Sequence, residues 1–405
     1  MPETLSVQCC IAGGGPAGMM LGLLLARAGV SVVVLEKHPD FLRDFRGDTL
    51  HPSTLEIIHE LGLLERFLQL PHQKVSRINA RFGNLEFTAA DFSHLPTHCR
   101  YVAFMPQWDF LNFLLDEGRR YPGFHVRMSA EVTDVIEHEG SVTGLYAETA
   151  AGPLGVHATL VVGADGRHSI VRKQAGLSVE EFGAPMDVLW FRLSRRPDDP
   201  VDPMGRFDVG RIFIMLNRGD YWQCGFVIAK GSLNEIHAQG LPLFRESVAK
   251  LAPFAADRVH ELQGWEPIKL LTVQVDRLRQ WHKPGLLCIG DAAHAMSPVG
   301  GVGINLAIQD AVATANLLSQ SLRNGQVTEA DLARVQARRL WPTQLTQRAQ
   351  LLVQNRVITH VLNSTVPLSP PWAVRLFARF PFLRRLPARM IGLGVRPEHV
   401  RTPVG

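Results

Sequence analysis

The pattern of apolar positions at the start of the chain predicts a parallel β-α-β unit. Residues 7–12 form a mostly apolar run that meets a glycine-rich turn, and small and apolar residues typical of a buried helix continue to residue 28. A second apolar run covers residues 30–35 and is followed by Glu36. Two strands joined by such a helix pair in parallel, so their carboxyl ends meet at one edge of a sheet.

Later segments change between helical and strand-like patterns. Helical spacing marks residues 52–61, 107–120, 243–251, 303–322 and 330–355. Alternating positions or short apolar runs mark strands at residues 126–149, 160–163, 188–193, 211–216, 221–229, 269–275 and 286–289. The strands in the middle of the chain stand close together with turn signals between them, which is typical of an antiparallel sheet.

This order of elements predicts an α/β protein with a Rossmann-like nucleotide-binding domain, an inserted antiparallel β-sheet domain and a C-terminal helical segment. We expect the nucleotide-binding domain to be discontinuous, with its first part over residues 1–180 and its second part, with further helices, over residues 281–360. The inserted domain then covers residues 181–280, and a basic tail covers residues 361–405.

Composition and charge narrow the classes of function. The 405 residues are 46% hydrophobic and 20% charged, which is the balance of a soluble globular protein. The net charge is +4, but residues 365–405 contain seven arginines against one acid, Glu398, so the rest of the chain is slightly acidic. We therefore expect no nucleic-acid-binding body. The start of the chain lacks a secretory pattern and the five cysteines form no C-x-x-C pair, so we expect a cytoplasmic protein.

The turn after the first strand has the spacing of a dinucleotide-binding loop. Gly13 permits a tight turn, Gly15 lets backbone N–H groups approach a diphosphate, and Gly18 leaves room between helix and strand. The helix N-terminus favours the diphosphate charge, and Glu36 is placed to accept hydrogen bonds from a ribose. The same predicted site includes Pro16, Ala17 and Lys37. This motif alone fits NAD as well as FAD, and the alternative is a packing turn without a ligand.

Two further glycine-rich motifs follow short apolar strands. One reads GADGRHS at residues 163–169; the other reads GDAAH at residues 290–294 and continues as PVGGVGIN at residues 298–305, where a long helix begins. With these three motifs in this order, the chain resembles the group A flavoprotein aromatic hydroxylases, the para-hydroxybenzoate hydroxylase-like family, over most of residues 7–355. The resemblance implies that the discontinuous domain binds FAD and that the inserted sheet binds the substrate.

The resemblance also implies the reaction. Such an enzyme binds FAD noncovalently, takes a hydride from NADH or NADPH, and adds dioxygen at flavin C4a to form a hydroperoxide. The hydroperoxide then transfers one oxygen atom to an aromatic or other electron-rich small molecule. Oxygen transfer itself needs no dedicated acid or base, so no catalytic residue is assigned. A monomer or a homodimer is expected.

Individual cofactor residues follow from the motifs and from the resemblance. Asp291 stands at a strand end, where its carboxylate can accept hydrogen bonds from the flavin ribityl chain, and the amides of residues 300–303 suit the negative charge of a reduced flavin. The resemblance places Asp165 near the diphosphate and the nicotinamide nucleotide. It also implies FAD contacts for Arg46, Gln107, Val132, Pro298, Gly301, Gly303, Ile304 and Asn305.

The substrate pocket is predicted between the flavin and the inserted sheet. Alternating positions on the middle strands can face a pocket, but they serve equally well as sheet core or solvent face; the candidates are Trp190, Arg192, Phe213, Tyr221 and Trp222. No metal site is expected, because the cluster of His94, His98 and Cys99 has no fourth ligand at zinc-type spacing. The Gly-x-Ser-x-Gly motif of hydrolases is absent. Residues 264–267 carry only part of the Trp-x-Trp-x-Ile-Pro motif of related halogenases.

Two other hypotheses stay open. One is a membrane-peripheral hydroxylase of a lipid or quinone precursor, because residues 372–380 mix arginines with aromatic side chains as interfacial helices do. For this tail, a helix packed on the protein with its arginines in water is the preferred interpretation. The other hypothesis is an FAD-binding protein without turnover, against which the complete glycine motifs argue.

Overall fold

The computed structural model describes residues 3–42 and 49–405. The strands are β1 (Glu3–Ala12), β2 (Val32–Leu35), β3 (Thr49–Leu50), β4 (Gln73–Val75), β5 (Arg77–Phe82), β6 (Leu85–Asp91), β7 (Val102–Phe104), β8 (Phe124–Arg127), β9 (Ala130–His138), β10 (Ser141–Thr149), β11 (Gly152–Gly163), β12 (Val179–Glu181), β13 (Met186–Ser194), β14 (Met204–Asp208), β15 (Arg211–Asn217), β16 (Tyr221–Ala229), β17 (Lys269–Leu271), β18 (Asp276–Leu278), β19 (His282–Lys283) and β20 (Leu286–Cys288). The α-helices are α1 (Pro16–Arg27), α2 (Pro52–Glu60), α3 (Leu64–Phe67), α4 (Gln107–Gly118), α5 (Ile170–Gln174), α6 (Leu233–Gln239), α7 (Leu241–Leu251), α8 (Gly303–Arg323), α9 (Glu329–Val353), α10 (Thr359–Leu362), α11 (Trp372–Arg379) and α12 (Arg385–Gly392).

The larger sheet has eight strands and a parallel centre. Its path is β19-β20-β11-β1-β2-β8, and all of these strands except β19 pair in parallel. β9 and β10 extend the long strand β11 in antiparallel fashion. The β-α-β unit predicted at the start of the chain is confirmed. Because parallel strands end at one edge, the loops that follow β1, β2, β11 and β20 emerge together.

Both faces of the parallel centre are buried, which explains why its strands are apolar runs rather than alternating ones. On one face, Ile11 and Val34 belong to a core that includes α1 and α8. On the other face, Cys10 and Val33 pack in a second core, to which Val171 of α5 contributes. Each large apolar side chain buried in this way contributes about 1.5–3 kcal/mol to folding.

A second sheet of seven strands has the order β17-β13-β16-β15-β14-β5-β6. It is mainly antiparallel, although β14 and β5 pair in parallel. The predicted fold class, with a Rossmann-like part and a mainly antiparallel sheet, is confirmed. Residues 77–91 extend this sheet beyond the segment 181–280 that the sequence suggested. The division of the chain into domains remains a prediction.

One predicted strand, over residues 269–275, is shorter in the structure, where β17 ends at Leu271. The amide of Val273 donates to the Asp187 carboxylate at 2.9 Å instead of joining a strand ladder. The Lys230 ammonium group donates to the same carboxylate at 2.8 Å. The Asp187 carboxylate therefore accepts the hydrogen bond of the Val273 amide that a carbonyl of a neighbouring strand would otherwise accept.

The C-terminal segment folds back over the protein. α11 and α12 lie against β6, and residues 396–405, here called the C-terminal strap, lie against α1 and α8. The Gly405 amide donates to the Arg27 carbonyl at 2.8 Å, and the Asn316 side-chain amide donates to the His399 carbonyl at 2.8 Å. The C-terminal strap thus contacts the end of α1 and the middle of α8.

Candidate active site

Four loops converge at the carboxyl edge of the larger sheet. β1 leads into Gly13, β2 into Glu36, β11 into the segment with Asp165, and β20 into the segment with Gly290. The four strands are neighbours in the order β20-β11-β1-β2. In open α/β sheets, ligands bind outside the carboxyl ends of the strands. The structure therefore brings the first two glycine motifs and the start of the third to the edge where a ligand is expected.

The first loop contains glycines that pack against the protein, among them Gly13 and Gly18, and one, Gly15, that faces open space. Gly13 has a φ of +99°, and a Cβ atom there would collide with the Ala164 carbonyl. A Cβ atom on Gly18 would collide with the Gly13 carbonyl. At Gly15, by contrast, a Cβ atom would have no heavy atom within 4 Å. The space beside Gly15 is therefore open to a ligand.

Two helices begin at this edge without a side-chain cap. α1 starts at Pro16 and α8 at Gly303, and among the described residues no side chain caps either helix. The first turn of α1 and the second turn of α8 lie on either side of Gly290, where a Cβ atom would be 3.3 Å from the Cβ of Ala17 and 3.1 Å from that of Ala307. Each helix N-terminus carries roughly half a positive charge. Together the two termini favour an anionic ligand such as a diphosphate.

Glu36 is buried and holds the first loop to the end of β2. Its carboxylate accepts hydrogen bonds from the amides of Gly14, at 2.9 Å, and His38, at 3.0 Å. Val132 lies nearby on β9, where the Ala130 amide donates to the Glu36 carbonyl at 2.9 Å. The side chain of Glu36 therefore has a structural role in addition to the ribose contact that the sequence predicts.

Asp165 begins the second loop and faces the first turn of α5. Its Oδ2 accepts a hydrogen bond from the Val171 amide at 3.2 Å, while its Oδ1 is buried and has no partner among the described residues. Burial raises the pKa of this carboxyl group, although hydrogen bonds from Ser169 and Val171 oppose the shift. A buried oxygen of this kind is costly unless a water or a ligand satisfies it.

Asp291 lies beside the second loop. Its Oδ2 is 4.0 Å from Nη2 of Arg167, and about a third of its side chain is exposed. The preceding residue, Gly290, has a φ of +59° and donates its amide to Asp310 at 3.1 Å. Asp310 therefore holds the backbone of this turn, while the Asp291 carboxylate stays accessible to solvent.

Asn305 ties the start of α8 to β3 and α2. Its Oδ1 accepts hydrogen bonds from the Thr54 hydroxyl at 2.6 Å and the His51 amide at 2.9 Å, and its Nδ2 donates to the Thr49 carbonyl at 3.3 Å. The Asn305 side chain is thus used within the protein. It orders the third glycine loop, and the cofactor contact that the resemblance implies for Asn305 stays a prediction.

The remaining predicted cofactor residues differ in exposure. Gln107 is half-buried at the first position of α4. Pro298, Gly301, Gly303 and Ile304 are half-buried in and after the third loop, and Lys37 is exposed. Arg46 lies outside the described residues.

The five pocket candidates do not share one face of the seven-stranded sheet. Trp190 pairs with Gly225 and Arg192 with Gln223, and Tyr221 stands opposite Ser194 on the same face. The Arg192 guanidinium lies 4.7 Å from the centre of the Tyr221 ring. Val299 of the third glycine loop packs against the same apolar cluster as Trp190. This face is therefore the one nearer the glycine loops.

Phe213 and Trp222 lie on the opposite face and correct the prediction for those two positions. They are 1% and 0% exposed and belong to the core that α7 covers. The Trp222 indole donates to Asp199 at 2.9 Å, and Arg258 pairs with the same carboxylate. Alternation along the strand separates them from Trp190, so we leave both out of the pocket.

Sequence reasoning missed a buried ionic cluster behind the Gly290 turn. Nε2 of His294 donates to Asp310 at 2.6 Å, and Nε of Arg339 donates to the same carboxylate at 2.9 Å. All three side chains are at most 1% exposed. The available signal is that Asp310 interrupts the apolar face of a helix, where a charge requires a partner. The partner, 29 residues away, could not be identified from the pattern.

Comparison with known proteins gives consistent matches over most of the chain. The family model described as "FAD binding domain" matches residues 6–349. The 6-methylpretetramide 4-monooxygenase of Streptomyces rimosus is 32% identical over 395 residues, which are 97% of this chain and 94% of that protein. The para-nitrophenol 4-monooxygenase of Pseudomonas sp. (strain WBC-3) is 27% identical over 342 residues, which are 79% of each chain.

Solved structures of other proteins have a similar fold. The crystal structure of a p-nitrophenol 4-monooxygenase from Pseudomonas putida DLL-E4 has a TM-score of 0.77 to this chain. The match covers 97% of this chain and 100% of that one, at 20% sequence identity. This similarity supports the fold.

Gly15→Ala is expected to weaken FAD binding roughly 10- to 100-fold and to leave the fold unchanged. A methyl group fits the protein there, but it would keep a diphosphate away from the backbone amides. Fluorescence titration of the apoprotein with FAD measures the effect. Gly155→Ala is the matched control, because its Cβ would make only one ordinary contact, 3.9 Å from Tyr146. Equal affinity in both variants and the wild type would contradict the assignment of Gly15.

Proposed function

We propose that NADH or NADPH is the electron donor of this chain, which belongs to the FAD binding domain family and is an FAD-dependent aromatic monooxygenase. The observation that supports the FAD site is the meeting of the glycine loops at one sheet edge between two helix N-termini without side-chain caps, and the nicotinamide donor follows from the resemblance of the glycine motifs to those of flavoprotein hydroxylases. The relatives favour this activity over a membrane-peripheral hydroxylase of a lipid or quinone precursor and over a protein without turnover.

The residues at this edge fit FAD. The open space at Gly15 and the N-terminus of α1 would hold the diphosphate, and Glu36 would face the adenosine ribose. Asp291 would accept hydrogen bonds from the ribityl chain, and Asp165, with its unsatisfied buried oxygen, would lie near the diphosphate. Gln107, Val132 and the loop at residues 298–304 complete the proposed site. When bound, FAD supplies hydride acceptance and the activation of dioxygen.

The protein contributes electrostatics, orientation and the exclusion of water. The N-terminus of α8 directs its amides toward the edge, where they stabilise negative charge. The face of the seven-stranded sheet that carries Trp190 would orient the substrate. The Trp190 indole N–H is buried without a hydrogen-bond partner among the described residues, so it is available to donate to a substrate oxygen. No residue is assigned as a general acid or base.

The first substrates to test are taken from the names of the relatives. The S. rimosus protein, which matches this chain over nearly its full length, is named for 6-methylpretetramide. The Pseudomonas protein is named for para-nitrophenol. We propose that an aromatic compound of one of these two kinds is a substrate, that the enzyme is a monomer or a homodimer, and that it works in the cytoplasm.

Turnover with ¹⁸O₂ tests the proposed reaction. A substrate is expected to gain one ¹⁸O atom per molecule, with one NADH or NADPH oxidised for each product, because a monooxygenase reduces the second oxygen atom to water. Mass spectrometry of the product and absorbance of the nicotinamide measure the two quantities. The reaction without substrate gives the baseline. Nicotinamide oxidation that yields no labelled product from any aromatic compound would contradict the proposal.

We also propose that the tail touches an anionic membrane surface. None of the helices in the described residues is long and apolar enough to span a bilayer. The tail packs on β6, yet Trp372, Phe382 and Leu386 are 78%, 61% and 66% exposed. Residues 365–397 contain six arginines and no acid. Exposed aromatic and aliphatic side chains among arginines are typical of interfacial helices.

Sedimentation with phosphatidylserine-containing vesicles tests this contact. The wild type is expected to sediment with anionic vesicles and not with neutral ones, and binding should fall with added salt. The triple substitution Trp372→Ser, Arg375→Gln and Arg379→Gln should reduce the bound fraction several-fold. Arg119→Gln with Arg120→Gln is the control, because these arginines are equally exposed at the end of α4. Equal sedimentation of all three proteins would rule out the tail as a membrane contact.

A further inference from the structure

The turn that presents Asp291 is held by a chain of buried charges. Asp310 accepts hydrogen bonds from the Gly290 amide at 3.1 Å and from His294 at 2.6 Å. Its other oxygen accepts a hydrogen bond from Arg339 at 2.9 Å. Burial opposes ionisation of Asp310, but His294 and Arg339 hold the pKa of this carboxyl group below its usual value. Asp310 is therefore an ionised acceptor that fixes the Gly290 backbone.

The chain of charges continues from Arg339 into the C-terminal strap. Nη1 of Arg339 is 3.3 Å from the Glu398 carboxylate and 3.2 Å from the Arg396 carbonyl. Glu398 also binds Arg338, with distances of 2.6 and 3.0 Å, and its own amide donates to the side chain of Gln309. Glu398 is 6% exposed, so these charges depend on one another rather than on water.

The buried ion pairs share charged groups, since Asp310 contacts both His294 and Arg339, and Arg339 also contacts Glu398. A buried charge that loses its counter-ion is strongly destabilised. Without Glu398, Arg339 keeps Asp310 as its remaining carboxylate and is free to shift toward it or away from it. Since Asp310 binds the Gly290 amide directly, such a shift reaches the turn beside Asp291.

We propose that Glu398 is a positioning residue of the flavin site, and that docking of the C-terminal strap and binding of FAD stabilise each other through Arg339 and Asp310. This inference rests on the proposed binding of FAD at the sheet edge. By linkage, a strap that favours FAD binding must be held more firmly when FAD is bound. Loss of the Glu398 contact should therefore weaken FAD binding, and FAD binding should stabilise the docked strap.

The strap provides its own control residue. Glu60 also holds it, since the Glu60 carboxylate accepts a hydrogen bond from the Val400 amide at 2.7 Å and binds His399. Among the described residues, Glu60 makes no hydrogen bond or ion pair with Arg339 or Asp310, and it reaches the strap from α2. Glu60→Gln therefore loosens the strap without breaking the charge chain that leads to Gly290.

The experiment compares Glu398→Gln, Glu60→Gln and the wild type. Fluorescence titration of each full-length apoprotein with FAD is expected to show a Kd about tenfold higher for Glu398→Gln, with Glu60→Gln within about twofold of the wild type. Hydrogen exchange of residues 396–405 should slow on addition of FAD in the wild type and in Glu60→Gln, but not in Glu398→Gln. Glu398→Asp, which keeps the charge, should recover part of the affinity.

Several outcomes would overturn the inference. If the wild type binds FAD and Glu398→Gln binds it equally well, Glu398 does not position the site, although the proposed function stands. If Glu398→Gln and Glu60→Gln weaken binding equally, the strap acts only through stability. If Glu398→Gln weakens binding as much in the Asp310→Asn background as alone, the effect does not pass through Asp310. If the wild type binds no FAD, the proposed function and the inference both fail.

Discussion

Parallel pairing of β20, β11, β1 and β2 determines where the glycine loops meet and therefore where the candidate site lies. These strands come from distant parts of the chain, yet parallel pairing forces their carboxyl ends to one edge. The residues just beyond that edge are the glycine and acidic residues of the sequence motifs. Each loop must turn sharply and still leave its amides accessible, which explains why Gly13 and Gly290 have positive φ angles. The pairing therefore turns three separate motifs into one site.

The edge must attract an anionic cofactor and still keep buried charges in balance. The N-termini of α1 and α8 supply positive potential at the edge. Asp310, Arg339 and Glu398 form buried ion pairs on the protein side of the Gly290 turn. Burying such groups is costly unless every partner is present. The end of the chain provides the last partner, Glu398. The Gly290 turn at the active-site edge and the C-terminal strap are consequently linked by buried ion pairs.

Much of the fold could be predicted from sequence because its signals are local. The glycine spacing, the apolar runs of β1 and β2 and the alternation in β16 each depend on neighbouring residues. Pairing between distant segments leaves no such signal, so residues 77–91 were not assigned to the seven-stranded sheet. Alternation shows that Trp190 and Trp222 point to opposite faces only once the strands are paired, and only the cover from α7 identifies the core face. The link from Asp310 to Glu398 requires three elements to be packed first.

The central claim is that the carboxyl edge of the parallel sheet holds a flavin that a nicotinamide nucleotide reduces for monooxygenation. Anaerobic stopped-flow mixing of the FAD-loaded protein with NADH or NADPH, with and without an aromatic substrate, tests it most directly. We expect the visible absorbance of the bound flavin to be lost, and a substrate to increase the rate of this loss. A protein that binds no flavin, or a bound flavin that neither nucleotide reduces under any of these conditions, would contradict it.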